Sequence, residues 1–355
     1  MKVLVISNIY PSKKAPYYGS FVKEFVRQIK ADKRVNRVDC VLLRGWHSGV
    51  MVKLWLYMKY YLSIFYHLVF FDYDLVYIHL ITHSTLPVWI VSKFKRLNLV
   101  FNIHGEDLLV KTSLSNCLLR FAIPLLYKSK NVVVPSFYFQ SVVMEKLPRL
   151  DADKIIVSPS GGVSRRFFGA PRTYSGKTCF KVGYVSRIDR GKGWDVLLEA
   201  VKQIGEQASV EVDIVGGGYE VEQLKAKMLN SGLKNVNYVG PIAHDDLPLF
   251  YASLDLFVFP TLLEESLGLV GIEAMAAGVP VVASRIGGIQ DYLCDGRNGF
   301  FFKPDDAGDL AVKIREFLLL PAGGKEQMSR MAIETAWRYR AQNVSDELFN
   351  KILRQ

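Results

Sequence analysis

Short apolar runs alternate along the chain with longer segments in which apolar residues recur at helical spacing. The runs are rich in Val, Ile, Leu and Phe and almost continuously apolar, which is typical of parallel strands buried on both faces. The pattern therefore predicts a doubly wound α/β architecture. The predicted strands are KVLVIS, RVDCVLL, DLVYIHL, LVFNIHG, NVVVPS and KIIVSP, followed by FKVGYVS, VEVDIVG, NVNYVG, LFVFP and VPVVAS.

The alternation restarts after a segment crowded with Gly, Ser, Pro and Arg, SGGVSRRFFGAPRTYSGKT, which we interpret as an interdomain linker. We predict domains over 1–165 and 166–330 and a C-terminal helix over 331–355 that packs back across the linker. Two such domains facing across a cleft would place ligands at the carboxyl ends of their strands. The predicted helices cover 18–32, 50–70, 87–96, 113–128, 136–146, 192–204, 219–231, 246–253, 267–277, 306–319 and roughly 327–353.

Composition narrows the class of protein. The chain has 355 residues, half of them apolar and 22% charged, which excludes a disordered or fibrous protein and agrees with two domains. The four cysteines are scattered, so they predict neither a disulfide framework nor a zinc site and agree with a reducing cytosol. The uncharged stretch 75–92 contains several polar residues and a proline, so we predict no membrane-spanning segment.

The net charge of +11 is uneven, because residues 1–165 carry 23 Lys and Arg against 10 Asp and Glu. A basic half attracts phosphate backbones, but the sequence shows no recognition helix, RRM aromatic pair or zinc finger, so no specific nucleic-acid partner is predicted. The charge also favours peripheral contact with an anionic leaflet.

The segment 49–71 is strongly aromatic and is interrupted by Lys53 and Lys59. A helix that packs on the N-terminal sheet explains many of its apolar positions. An interfacial helix explains the excess of aromatic residues beside a basic region. Both interpretations stay open here. The aromatic residues are Trp55, Tyr57, Tyr60, Tyr61, Phe65 and Tyr66, and the nearby basic ones are Lys13, Lys14, Lys30, Lys33, Arg34 and Arg37.

Candidate chemistry begins at SRIDRGKGWDVLLEAV, where a strand ends at Ser186 and a helix starts near Trp194. Arg187 and Lys192 would lie beside the helix N-terminus, which suits the binding of a diphosphate. A solvated turn with ordinary surface cations is the alternative.

A second constellation is PTLLEESLGLVGIEAMAAGVPVVAS, in which Glu265 and Glu273 stand on either side of a strand-to-helix turn. We expect Ser266 to cap the helix and Gly268 to let a ligand approach the backbone. Helical rise would separate the two carboxylates by at most about 12 Å along the axis. The alternative is a first-turn glutamate and an exposed helix residue, but Glu273 lies in an apolar run and needs a partner.

These motifs, with GGIQDYLCDGRNGFFFKPDD, HGED after LVFNI, and PYYGSFVKEFVRQI, resemble those of a family 4 retaining glycosyltransferase, of the group 1 glycosyl transferases, with the GT-B fold. The resemblance covers nearly the whole chain and rests on five motifs in the expected order. It implies a GT-B fold of two Rossmann-like domains, an N-terminal one for the acceptor and a C-terminal one for a nucleotide sugar.

The resemblance also implies roles for individual residues. Arg187 and Lys192 match the pair that neutralises the departing diphosphate, and Glu273 matches the carboxylate that accepts hydrogen bonds from the ribose. Glu265 matches the segment that holds the donor sugar and the distal phosphate, and His104 matches the histidine that reaches the sugar. The other residues implied to bind the donor are Gly19, Gly240, Pro241, Ser266, Leu267, Gly268 and Leu269.

The implied reaction is transfer of a hexosyl or N-acetylhexosaminyl unit from a nucleotide diphosphate sugar to a lipid-linked or saccharide acceptor in bacterial surface polysaccharide biosynthesis. UDP is the favoured nucleotide, although no residue distinguishes UDP-sugars from GDP-sugars. It would proceed with retention of configuration and without metal or cofactor, in the cytoplasm at the inner face of the membrane. An epimerase of the same fold is the alternative, and the oligomeric state stays open. His79 and His83 are expected to be structural or on the acceptor side, and His47, His67 and His244 to be structural.

Overall fold

The computed structural model describes residues 1–13, 19–45, 49–109, 112–205 and 209–353. The chain forms two compact units. Unit 1 comprises Met1–Gly161 and Gln342–Gln355, and unit 2 comprises Gly162–Ala341. The chain therefore passes from unit 1 to unit 2 between residues 161 and 162, and it returns to unit 1 between 341 and 342.

Unit 1 contains a six-stranded parallel sheet in the order β2-β1-β3-β4-β5-β6. Its strands β1, β3, β4 and β5 are buried on both faces, as their continuous apolar runs predict, whereas the edge strand β2 is only partly covered. They are β1 (Lys2–Ser7), β2 (Arg37–Leu42), β3 (Leu75–His79), β4 (Leu99–Asn102), β5 (Asn131–Val134) and β6 (Ile155–Val157).

Helices cover both faces of this sheet. Helices α2, α3, α5 and α6 contribute to the core on one face, and α1 and α13 contribute to the core on the other. Their bounds are α1 (Ser20–Ala31), α2 (Val50–Phe70), α3 (Thr85–Val91), α4 (Glu106–Leu109), α5 (Ser113–Lys128), α6 (Phe137–Lys146) and α13 (Ala341–Ile352), with a 3₁₀ turn at Ala152–Lys154.

Unit 2 repeats the design with a parallel sheet in the order β12-β11-β10-β7-β8-β9. The strands are β7 (Phe180–Val185), β8 (Val210–Val215), β9 (Val236–Gly240), β10 (Leu256–Phe259), β11 (Val281–Ser284) and β12 (Gly299–Phe302). The helices are α7 (Trp194–Ile204), α8 (Val221–Ser231), α9 (Leu247–Ala252), α10 (Leu269–Ala276), α11 (Ala307–Leu319) and α12 (Ala322–Trp337), with 3₁₀ turns at Arg165–Phe167 and Gly287–Asp291.

Three sequence expectations change at this level. Strand β12 was not predicted, and the single helix expected over 327–353 is two helices, α12 in unit 2 and α13, which packs on unit 1. The predicted linker is mostly folded into unit 2, because Phe167 and Tyr174 are buried in its core. Among the described residues, no helix combines the length and the apolarity needed to cross a membrane.

Candidate functional site

The turn after β7 holds Lys192 against a glutamate from the segment after β10. Lys192 Nζ lies 2.7 Å from Glu265 Oε1, and the Thr261 hydroxyl donates to the same oxygen at 3.0 Å. The two charged side chains are only 12% and 19% exposed. The sequence assigned Lys192 and Glu265 to one site, and the structure brings them into direct contact. Their roles in a reaction stay predictions.

Arg187 is held less firmly than Lys192. Its side chain is 64% exposed, and Nη1 lies 3.4 Å from Asp189 Oδ2. The Tyr219 backbone N–H donates to the other oxygen of Asp189 at 2.8 Å, which fixes that carboxylate. The two expected cations therefore differ in exposure, because Lys192 is largely covered whereas Arg187 lies at the surface, and each is beside a carboxylate of the protein.

Helix α10 begins later than the sequence indicates. Its N-cap is Gly268, in the left-handed region with φ of 80°, and no side chain caps the helix. Ser266 is thus not the cap, and helical rise does not measure the separation of Glu265 and Glu273, because residues 265–268 precede the helix. Leu267 is buried and Leu269 opens the helix.

Two glycines hold the segment that precedes α10. The Gly288 N–H donates to the Glu265 carbonyl at 2.8 Å. A Cβ on Gly287 would lie 2.5 Å from that carbonyl oxygen, and one on Gly288 would lie 2.4 Å from the Ser266 carbonyl oxygen. Side chains at these positions would displace the backbone that carries Glu265.

Glu273 is buried on α10 and has the partner that the sequence required. His244 Nε2 lies 2.9 Å from Glu273 Oε1, and the Tyr251 hydroxyl donates to Oε2 at 3.4 Å. The hydrogen bond to Glu273 raises the pKa of His244 above its ordinary value, although partial burial opposes this. His244, which the sequence indicated as structural, thus faces a predicted donor-binding carboxylate, and a part for it in donor binding stays a prediction.

A glycine loop after β8 lies against the turn after β7. A Cβ on Gly216 would lie 1.8 Å from the Ser186 carbonyl oxygen, and one on Gly218 would lie 2.4 Å from that of Ile188. The Gly216 N–H donates to the Gly240 carbonyl at 3.0 Å, which places Gly240 and the following Pro241 beside this loop. Sequence reasoning did not single out residues 216–218.

All these residues follow the carboxyl ends of β7, β8, β9, β10 and β11, which are neighbours in one parallel sheet. This edge of a doubly wound sheet is where ligands bind. It combines a largely covered ion pair, a buried carboxylate with a histidine, a glycine loop and the N-terminus of a helix. Such a set can bind an anion and hydroxyl groups together.

In unit 1, His104 follows β4 and contacts His79 at the end of the neighbouring strand β3. His104 Nε2 lies 3.2 Å from His79 Nδ1, and the His104 and Phe21 ring centroids are 4.2 Å apart. Burial lowers the pKa of His104 to about 3 and the pKa of His79 well below its ordinary value. Both histidines are therefore neutral at pH 7.

Asp107 fixes the loop that carries His104. Its carboxylate accepts hydrogen bonds from the backbone N–H groups of Ile81, His104 and Gly105 at 3.0–3.1 Å. Burial raises the Asp107 pKa to about 6, although these hydrogen bonds act in the opposite direction. The fourth residue of HGED is thus a positioning group.

The remaining predicted residues are peripheral to these clusters. Gly19, with φ of 75°, is the N-cap of α1. His67 contacts the Tyr73 hydroxyl at 2.7 Å and His83 contacts Thr82, whereas His47 lies outside the described residues. Within the described residues, no group of three or more His, Cys, Asp or Glu side chains is arranged to hold a metal ion.

Comparison with known families gives a match in unit 2. Residues 173–336 match the family described as glycosyl transferases group 1. The sulfoquinovosyl transferase SQD2 of Arabidopsis thaliana is 37% identical over 138 residues, which are 38% of this chain and 26% of the relative. Mannosylfructose-phosphate synthase of Agrobacterium fabrum is 29% identical over 210 residues, 54% of this chain and 45% of the relative. The chain thus matches less than half the length of either relative.

Solved structures resemble the chain over nearly its whole length. Anabaena HepE, in a complex with UDP, has a TM-score of 0.77 and 23% identity, with 99% of this chain and all of that chain covered. Sucrose-phosphate synthase of Thermosynechococcus elongatus has a TM-score of 0.79 and 18% identity, with 99% of each chain covered. These likenesses confirm the predicted GT-B architecture of two Rossmann-like units.

Proposed function

We propose that this protein transfers a sugar from a nucleotide diphosphate sugar to an acceptor hydroxyl, because residues 173–336 match the family described as glycosyl transferases group 1. The observation that carries the proposal is the largely covered Lys192–Glu265 pair at the ligand-binding edge of the sheet in unit 2. A fully exposed ion pair would need no explanation, but one that is partly removed from water carries some desolvation cost, which a function can justify.

The donor is a nucleotide diphosphate sugar with a hexosyl or N-acetylhexosaminyl unit, and UDP is the favoured nucleotide. The likeness to HepE, which was solved with UDP, supports this choice. Glu273 would accept hydrogen bonds from the ribose hydroxyls, while the contact with His244 orients the carboxylate. Gly240 and Pro241 would support the base with backbone groups.

Cleavage of the sugar–phosphate bond increases the negative charge on the departing diphosphate. The Lys192 ammonium has three N–H donors, so it can keep its bond to Glu265 and donate to a phosphate oxygen as well. Arg187, at the surface of the same turn, can turn toward the distal phosphate and bind it in place of Asp189. Fixed positive charge at this position stabilises the transition state.

The acceptor hydroxyl would attack from the face that the diphosphate leaves, with retention of configuration and without a metal ion. Neutral His104 would hydrogen-bond the donor sugar rather than repel its developing positive charge. The acceptor is a lipid-linked or saccharide hydroxyl, and the pathway is assembly of a bacterial surface polysaccharide in the cytoplasm, at the inner face of the membrane.

Donor binding is tested by thermal unfolding with UDP, GDP and ADP, since a ligand of the folded state raises the unfolding midpoint. We expect UDP to give the largest rise. The double variant Lys192→Met/Glu265→Gln removes both charges, so that neither ion is left without its partner. We expect that UDP will not raise the unfolding midpoint of this variant. Lys202→Met, at an exposed lysine of α7, is the matched control, and UDP should raise its unfolding midpoint as it does that of the unmodified protein.

Transfer is tested by UDP release from UDP-sugars, with and without membrane glycolipids as acceptors. Release that depends on the acceptor supports the proposal. Donor consumption without an acceptor, accompanied by an epimerised sugar, would establish the epimerase instead. If no nucleotide raises the midpoint, or if the double variant responds like the unmodified protein, the donor site is not where we place it.

A further inference from the structure

Helix α2 is apolar on two opposite faces, although only one of them is buried. Tyr60, Ile64 and Leu68 are buried in the core of unit 1. A helix that is apolar all round is normally covered by protein on every side. The opposite face of α2 is instead exposed along its whole length, at Met51, Trp55, Met58, Leu62, Phe65, Tyr66 and Phe70.

The first turns of α2 are exposed on every side. Residues 50–55 are all exposed, and Val50 and Met51 reach 81% and 76%. Because α2 follows β2 in a parallel sheet, these turns lie at the same edge of unit 1 as His104. Contacts of Tyr57 with Asn8 and His83, which follow β1 and β3, agree with that position.

Among the residues of unit 1 that the structure describes, the exposed large apolar side chains lie on one side of the sheet. Beyond α2, they include Ile90 on α3, Phe94 just after α3, and Leu114 on α5. These helices cover the same face of the sheet as α2. Among the described residues, helices α1 and α13 on the other face carry no large apolar side chain that is exposed. Exposed apolar patches of this kind mark binding surfaces.

The same side is positively charged. Helix α2 contains Lys53 and Lys59 and no Asp or Glu. Lys59 Nζ lies 3.7 Å from the Trp55 ring centroid, and Lys93 Nζ lies 4.4 Å from that of Trp89. A long side chain that covers an aromatic ring and carries its charge outward is adapted to a boundary between an apolar phase and water.

We propose that the α2 surface, formed by the exposed side chains of residues 50–70 with Ile90 and Phe94, binds the face of an anionic lipid bilayer. Tryptophan, tyrosine and other large apolar residues enter the boundary between headgroups and acyl chains, and the lysines contact acidic headgroups. A second copy of the chain is a poorer occupant, because a symmetric contact would bring the lysines of both α2 helices together without a carboxylate from either.

Vesicle flotation tests this proposal without reference to catalysis. We expect the protein to float with phosphatidylcholine vesicles that contain about 30% phosphatidylglycerol, and to float much less with phosphatidylcholine alone or at high salt. The triple variant Met51→Ser/Leu54→Ser/Leu62→Ser should lower the partition coefficient at least about tenfold. Since all three side chains are exposed, its unfolding midpoint should match that of the unmodified protein.

The matched control is Leu229→Ser/Leu249→Ser/Leu319→Ser, which removes three exposed leucines of unit 2 and should float like the unmodified protein. Lys53→Glu/Lys59→Glu should also abolish flotation, while Lys202→Glu/Lys227→Glu on α7 and α8 should not. The proposal is overturned if the unmodified protein stays at the bottom of the gradient or if the α2 variants float normally. It is also overturned if sedimentation shows a dimer that the α2 variants dissociate without any change in flotation.

Discussion

At the scale of single residues, the buried carboxylate of Glu273 depends on His244. The two side chains are 29 positions apart, and their 2.9 Å contact joins the segment after β9 to helix α10. The apolar run around Glu273 indicated that a partner must exist, but nothing local to His244 identified it as that partner. Asp107, by contrast, lies within the predicted HGED motif, and only its contacts with distant backbone N–H groups were unforeseen.

Replacement of Glu273 by glutamine should uncouple this pair. The amide keeps the shape of the side chain but loses its charge, so we expect the His244 pKa to fall and the affinity for UDP to drop about 10-fold or more. NMR titration of His244 and calorimetry with UDP measure the two effects. Glu334→Gln, at an exposed glutamate of α12, is the control. An unchanged His244 titration would show that the contact with Glu273 does not set its charge.

The His244 pair also makes stability depend on pH. Because its pKa is raised in the folded state, its contribution to the unfolding free energy is present below pH 6.5 and is lost as pH rises through the folded pKa. We therefore expect urea unfolding of His244→Gln to show a smaller decrease in stability above pH 6.5 than the unmodified protein shows. A decrease of equal size in both proteins would contradict this.

His79 and His104 give the unfolding free energy a pH dependence of the opposite sign to that from His244. Both have lowered pKa values in the folded state, so the unfolded chain binds protons first and stability falls as pH drops below 6.5. Asp107, with a pKa raised to about 6, opposes this trend between pH 3.8 and 6. His79→Asn should reduce the stability lost between pH 6.5 and 5 by about 1–2 kcal/mol, measured by urea unfolding. An unchanged loss would mean that His79 titrates normally.

At the scale of elements, most strands and helices follow from local pattern, and the exceptions have identifiable causes. Strand β12 is the short run GFFF, which periodicity alone cannot distinguish from a loop or the edge of a helix. The break between α12 and α13 carries no Gly or Pro. It is set by the backbone hydrogen bond from Val163 N–H to the Tyr339 carbonyl at 2.7 Å, a contact over a long sequence separation.

Gly193 shows how one backbone position controls a functional turn. It has φ of 74° at the N-cap of α7, and a Cβ there would lie 1.8 Å from the Pro260 carbonyl oxygen. Gly232 has a similar φ of 67°, but a Cβ there would meet nothing within 4 Å. Alanine at either position would occupy a left-handed backbone conformation, but only at Gly193 would its Cβ also clash. Comparing the two variants therefore separates the free-energy cost of the left-handed backbone from that of the steric clash.

We expect Gly232→Ala to lower the unfolding free energy by about 1–2 kcal/mol and Gly193→Ala to lower it by at least twice as much. Gly193→Ala should also weaken the response to UDP, because it displaces the neighbouring Lys192. Denaturant unfolding and thermal shifts with UDP provide the measurements. An equal decrease in unfolding free energy for both variants would indicate that the turn at Gly193 moves enough to avoid the clash.

At the scale of the whole molecule, the alternation of strands and helices predicted two Rossmann-like units, and the structure contains them. The sequence did not reveal that residues 342–353 complete unit 1. Leu348, Phe349 and Ile352 are buried there against α1 and the sheet. An amphipathic helix shows which of its faces is apolar, but not which core that face will join.

Phe349→Ala should therefore destabilise unit 1 selectively. Removal of a buried phenylalanine typically costs about 3–5 kcal/mol. Hydrogen exchange should become faster in α1 and the sheet of unit 1 while unit 2 stays protected. Phe317→Ala, at a buried phenylalanine of unit 2, should give the reverse pattern. Uniform loss of protection in both units would show that they unfold as one cooperative body.

The return of residues 342–353 to unit 1 has a consequence for biosynthesis. Unit 2 is continuous in sequence, so it can fold as soon as it has left the ribosome. Unit 1 begins to emerge earlier but cannot close its core until its distant final helix has been translated. A chain that ends at residue 341 and has left the ribosome should accordingly contain a folded unit 2 and an unfinished unit 1, whose apolar surface, normally covered by Leu348, Phe349 and Ile352, would be open to chaperones.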